Sequence, residues 1–110
     1  MSQDRLKMIL DMLQHNSDDS FLRYAAALEY IKIDDKDKAI HYLKSLVKDF
    51  PEYLATYYQL GKILEEKGKP EKAIEIYKKG REVAKKQQDR KTLGELSEAL
   101  MILDIYDEEF

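Results

Sequence analysis

The chain has no cysteine, only two histidines, two prolines and four glycines in 110 residues. Without cysteine there is no disulfide framework and no thiolate chemistry. The two histidines, His15 and His41, have no Ser or Cys nucleophile at a suggestive spacing, which leaves nothing from which to assemble a nucleophile–base pair. Gly61-Lys62-Ile63 and Gly68-Lys69-Pro70 lack the glycine spacing and the Ser/Thr of a phosphate loop. Asp34-Asp35-Lys36-Asp37 lacks the glycine and distant glutamate of a calcium loop. No run approaches the roughly 18 apolar residues of a membrane span, and charges interrupt Met1–Lys7, where a signal peptide would need an apolar stretch. The formal net charge of −3 argues against a nucleic-acid backbone as the main partner. The expectation is a non-enzymatic, cytoplasmic protein without cofactor or metal, binding neither nucleic acid nor membrane.

What is present is apolar residues at 44% and charged residues at 37%, a pairing that suits amphipathic helices with solvated outer faces. No stretch alternates in polarity as a strand would. The size is that of a single domain over residues 1–110. Within it lies a repeat of 34 residues: Ser20–Tyr53 aligns without a gap on Leu54–Gln87. Ala27 falls on Gly61, Tyr30 on Leu64, Leu43 on Tyr77, and Asp37-Lys38-Ala39-Ile40 on Glu71-Lys72-Ala73-Ile74. A fixed period of this length marks a stacked array.

The scarce prolines and glycines punctuate that array. Asp49-Phe50-Pro51-Glu52 reads as a helix end and a new start, and Lys67-Gly68-Lys69-Pro70-Glu71 as a glycine C-cap before a proline-led helix. Asp34-Asp35-Lys36-Asp37 and Asn16-Ser17-Asp18-Asp19 offer aspartates as N-caps. Six helices are predicted: an N-terminal flanking helix over 2–15, then Asp19–Ile33, Lys36–Asp49, Glu52–Lys67 and Pro70–Gln88, and a C-terminal capping helix over 89–106. The first turns Leu6, Ile9, Leu10 and Leu13 to one face, and the last turns Leu93, Leu96, Leu100 and Leu103.

This pattern resembles the tetratricopeptide repeat family. The second repeat carries the family's residues at Tyr57, Leu60-Gly61, Leu64, Ala73, Tyr77 and Gly80, with Lys85 in place of the closing proline. In the first, Tyr30, Ala39 and Pro51 match, Arg23 replaces the bulky residue, and Ala26-Ala27 replaces Leu-Gly. The resemblance implies an all-α, right-handed α-solenoid of antiparallel helix hairpins. Repeats at 20–53 and 54–87 would be completed by the flanking helices, since two repeats alone bury too little.

Placed at 100° intervals, Ala26, Ala27, Tyr30 and Ile33 form one apolar sector, the expected core. Phe21, Tyr24, Leu28 and Ile31 form a second. In the resembling family this second sector lines a concave groove that receives peptides. The matching face of the second repeat carries Ala55, Tyr58, Lys62, Glu65 and Glu66. The groove residues are therefore expected at Phe21, Tyr24, Leu28, Ile31, Tyr58, Lys62 and Glu65, for a protein or peptide partner; the alternative is that a flanking helix or loop covers Phe21 and Tyr24. Tyr24, Leu28 and Gln59 stand where a chaperone-tail clamp would carry its basic and amide residues, so that clamp is not expected. Seven basic residues from Lys78 to Lys91 read as a solvated helix face, compensated by an acidic neighbouring helix. Met101, Ile102 and Ile105 fall off the leucine stripe of the last helix; either neighbouring side chains cover them or they form a self-association face, with a homodimer or a structural homo-oligomer built through its terminal helices as the alternative role.

Overall fold

The computed structural model describes the backbone over residues 2–109 and the side chains over 4–103. Those residues form six helices and no strand: α1 (Ser2–His15), α2 (Ser20–Lys32), α3 (Lys36–Asp49), α4 (Ala55–Glu66), α5 (Pro70–Gln87) and α6 (Arg90–Glu109). The all-α helix-hairpin architecture expected of the repeat is the one found. Two compact units divide between Tyr53 and Leu54. In the first, α1 packs on α2 and α2 on α3; in the second, α4 packs on α5 and α5 on α6.

Helix ends repeat as faithfully as helix faces. Asp34 adopts φ 61°, and Gly68, one period later, φ 73°. The amides of Asp34 and Asp35 donate to Ile31 O and Tyr30 O at 3.0 and 2.9 Å, and those of Gly68 and Lys69 to Glu65 O and Leu64 O, each at 2.9 Å. This paired closure satisfies two orphan carbonyls at a left-handed residue. Gln88 (φ 57°) and Asp89 close α5 in the same way onto Lys85 O and Ala84 O. Aspartates start the following helices. Asp19 accepts from Leu22 N, Asp35 from Lys38 N, and Asp89 from Thr92 N, at 3.1, 3.2 and 3.0 Å, each satisfying an otherwise free N–H.

Two expectations need correction. Helix α4 begins at Ala55 rather than Glu52. Pro51 occupies the second position of a turn closed by Tyr53 N donating to Phe50 O at 2.9 Å, a position its fixed φ suits. Ile33, expected in the core sector, is 39% exposed. It is the C-cap of α2, past the last turn, where the chain has left the helical path that keeps Ala26, Ala27 and Tyr30 buried.

The second unit is held by two reciprocal contacts of a glycine and a tyrosine. A Cβ on Gly61 of α4 would lie 2.7 Å from Tyr77 Cδ1 on α5, and a Cβ on Gly80 of α5 would lie 2.6 Å from Tyr57 Cβ on α4 and 3.0 Å from Leu96 Cδ1 on α6. Both tyrosines and Leu96 are fully buried. Each glycine thus admits a ring that would otherwise hold the helices apart. The Tyr77 hydroxyl donates to the Glu65 carboxylate, so its one polar atom is satisfied. In the first unit, one period earlier, Arg23 stands for Tyr57. Its guanidinium pairs with Asp49 at 2.7 Å, donates to Ser17 O at 2.9 Å and sits 5.3 Å from the Phe50 ring centroid. A planar, delocalised cation can do what the aromatic does elsewhere, stacking while keeping its donors satisfied.

Glycine-to-alanine changes should therefore have opposite signs at two helical sites. At Gly61, overpacking of about 1–3 kcal/mol opposes a helix-propensity gain of about 1 kcal/mol, and the fully buried Tyr77 ring has no room to yield. Gly61→Ala should lower the melting temperature. At Gly94 a Cβ meets nothing within 4 Å, so only the propensity term remains and Gly94→Ala should raise it by several degrees. Thermal unfolding followed by circular dichroism checks both.

Burial first, and then the hydrogen bond and charge of Glu65, push the Tyr77 phenol well above its ordinary range. A pKa raised on folding stabilises fully below the unfolded value, near 10 for tyrosine, and that contribution is lost progressively as pH rises beyond it. Urea unfolding at pH 8 and pH 11 should show a smaller alkaline loss of stability in Tyr77→Phe than in the wild type.

Candidate functional site

Helix α1 runs antiparallel to α2. Leu13 of α1 shares a buried cluster with Leu22 and Ala26 of α2, while at the other end Arg5 lies beside Glu29. The helices do not close along one side. A cleft of about 450 Å³ remains, walled by Met8 and Met12 from α1 and by Phe21, Tyr24 and Leu28 from α2. Phe21 is 68% exposed and Met8 63%. Tyr24 is half-buried and packs on Tyr53, ring centroids 5.4 Å apart. Three of the expected groove residues, Phe21, Tyr24 and Leu28, are thus brought together. Ile31 is half-buried and does not line this cleft.

The Arg5 end of the cleft is charged. Glu29 is only 3% exposed. Its Oε2 pairs with Lys32 Nζ at 3.0 Å, while Oε1 lies 3.9 Å from Arg5 Nε and accepts no hydrogen bond. A buried carboxylate is costly unless compensated; here two cations flank one anion, and both reach solvent. The cleft therefore grades from apolar and aromatic at Met12 and Phe21 to net positive at Arg5 and Lys32. Sequence reasoning missed Arg5, Met8, Met12, Glu29 and Lys32. One signal was available: Arg5, Met8, Ile9 and Met12 sit at i, i+3, i+4 and i+7, a second stripe beside Leu6, Leu10 and Leu13.

Tyr58, Lys62 and Glu65 lie together on α4 in the second unit. Lys62 Nζ sits 5.8 Å from the Tyr58 ring centroid and 4.0 Å from Glu65 Oε2. Glu65 is committed to Tyr77 as well, so this set is a cross-linked polar patch. On α6, Leu96 and Leu100 are buried, whereas Met101 is 56% and Ile102 49% exposed. The Ile105 side chain lies outside the described residues. Both histidines are exposed, and His41 sets its ring edge-on to Tyr42 at 5.4 Å. Among the described residues no three His, Asp or Glu side chains are grouped to hold a metal ion, and no helix is long and apolar enough to cross a membrane.

Comparison with known proteins agrees with the repeat architecture. The tetratricopeptide repeat family model matches residues 34–94. The crystal structure of a tetratricopeptide repeat domain protein from Salinibacter ruber superposes with a TM-score of 0.75 at 38% identity, covering 78% of this chain and 96% of that one. A protein from Bordetella parapertussis, solved in solution, gives 0.80 at 24% identity, covering 93% and 89%. The type III secretion translocator chaperone SycD of Yersinia enterocolitica gives 0.89 at 16% identity, covering 97% and 74%. At these last two identities the likeness is one of fold alone. No curated protein matches the chain. With the family model spanning more than half of the sequence and a relative of this identity matched over nearly its whole length, the chain belongs to the tetratricopeptide repeat family.

Proposed function

We propose that the protein is a non-catalytic docking module that binds a peptide or protein segment through apolar anchors. The observation that carries this reading is the α1–α2 cleft, where Phe21, Tyr24 and Leu28 share an apolar pocket with two methionines. Methionine is unbranched and polarisable and adapts to differently shaped ligands. The aromatic rings offer large contact area at little entropic cost, as binding hot spots do. An already formed apolar concavity needs little reorganisation on binding, which favours affinity. Ile31 borders this surface in sequence. Tyr58, Lys62 and Glu65 offer the second repeat's polar and aromatic counterpart for the same class of ligand.

Selection of displayed random peptides on the wild-type protein tests the reading, with the selected peptides re-measured on Phe21→Ala and Tyr24→Ala. Peptides with bulky apolar residues should be enriched. Each truncation should weaken their binding by more than about 1 kcal/mol, or roughly fivefold. Binding of equal strength to both variants, with helicity unchanged, would place the docking surface elsewhere.

A further inference from the structure

Among the described residues two apolar patches are left uncovered, one in each unit, and they differ in electrostatic character. In the first unit the patch is the α1–α2 cleft: Met8, Met12 and Phe21 are 63%, 48% and 68% exposed, and the cleft ends at Arg5 and Lys32. In the second unit it is the outer face of α6, where Met101 and Ile102 are exposed although Leu96 and Leu100 on the same helix are buried. We propose that the cleft receives helix α6 of a second copy of this chain. The inference rests on reading the cleft as a docking surface, but it requires no foreign ligand.

Charge and spacing choose this occupant. After Leu103 the sequence of α6 contains Asp104, Asp107, Glu108 and Glu109 and no basic residue. The helix continues through Glu109, so its partial negative dipole end coincides with these carboxylates. The charged end of the cleft holds two cations against the single carboxylate of Glu29, a net positive site. From Met12 to Arg5 along α1 is seven residues, or about 10 Å at 1.5 Å per residue. From Ile102 to Glu109 along α6 is the same seven-residue step. An α6 laid antiparallel to α1 would set its apolar residues among Met8, Met12 and Phe21 and its acidic end beside Arg5 and Lys32. Pairing α6 with α6 would leave the cleft bare and gain no opposite charge.

The contact joins two different surfaces, so it is isologous if two copies satisfy it reciprocally and heterologous if it runs head to tail. Two copies can exchange helices reciprocally, or each can pass its helix to the next in an open series. In either form the self-contact occupies the cleft and competes with any foreign segment.

Sedimentation at tens of micromolar tests the proposal on the wild type, Met12→Glu, Ile102→Glu and an equimolar mixture of the two variants. Met12 and Ile102 are about half exposed, so neither change should disturb the fold, and circular dichroism verifies this; Met8→Glu is a second probe of the cleft should Met12→Glu lose helicity. The wild type should sediment at twice the 13.0 kDa chain mass or more, and each variant alone at the chain mass. The mixture should associate more strongly than either variant alone, because one variant keeps an intact cleft and the other an intact α6, which restores one contact. Replacing Asp107, Glu108 and Glu109 by their amides should weaken association at least tenfold. A monomeric wild type, association that survives Met12→Glu, a mixture no more associated than either variant alone, or an unchanged affinity in the amide variant would each overturn the proposal. A monomeric wild type would leave the peptide reading standing, and a failed peptide selection would leave the helix exchange standing.

Discussion

The second unit depends on how closely α4 and α5 approach, and that is decided by two glycines, each facing a tyrosine. Gly61 lies under the ring of Tyr77, and Gly80 lies under Tyr57 and beside Leu96. The arrangement is reciprocal, so neither helix can withdraw without opening both contacts. It also connects three helices, because Gly80 receives side chains from α4 and α6 at once. Interiors are packed as densely as organic crystals, and a missing Cβ is here the space that a ring occupies. The hydroxyl of Tyr77 then reaches Glu65, which links the buried interlock to the polar face of α4.

The first unit reaches the same architecture with other residues. One period earlier, Ala27 stands for Gly61 and Leu43 for Tyr77, while Arg23 stands for Tyr57 and Leu46 for Gly80. Ala27, Leu43 and Leu46 are all fully buried. Where the facing side chain shrinks from tyrosine to leucine, the glycine can become alanine. Where the small residue grows from glycine to leucine, the tyrosine gives way to an arginine that spreads over Asp49, Ser17 and Phe50 at the edge of the hairpin. Summed volume is kept between Gly61 with Tyr77 and Ala27 with Leu43, as expected of cores that tolerate compensated exchange; at the other pair it grows, and the arginine lies at the hairpin edge, where its head pairs with Asp49.

Most of the fold was legible because its signals are local. The aspartate caps and the glycine closure at Gly68 each follow from a few neighbouring residues, and the 34-residue period carries them from one repeat to the next; the left-handed closure at Asp34 emerges only in the structure. The start of α4 was misplaced because Pro51 suits both the first turn of a helix and the second position of a turn; the Tyr53–Phe50 hydrogen bond selects the turn. Ile33 was assigned to the core by helical phase, which stops applying at the C-cap. The site was legible only in part. Phe21, Tyr24 and Leu28 announced themselves as a second apolar sector on α2. Their partners Met8 and Met12 lie on α1, and which stripe of that helix meets the cleft depends on how α1 packs against α2. Glu29, a charged residue in sequence, is buried with Arg5 and Lys32 beside it, and the approach of Arg5 depends on the same packing.

The claim that a small residue and a facing ring act as one unit in the α4–α5 hairpin can be measured by a double-mutant cycle. Gly61→Ala and Tyr77→Leu, combined, recreate in the second repeat the residues present at Ala27 and Leu43 in the first. Each change alone should destabilise the protein, one by overpacking and the other by leaving a void. Denaturant unfolding of the four proteins should give a double variant more stable than the sum of the single losses predicts, by about 0.5–3 kcal/mol. Additive losses would show that Gly61 and Tyr77 do not share one packing space, and would contradict this account of what holds the hairpin together.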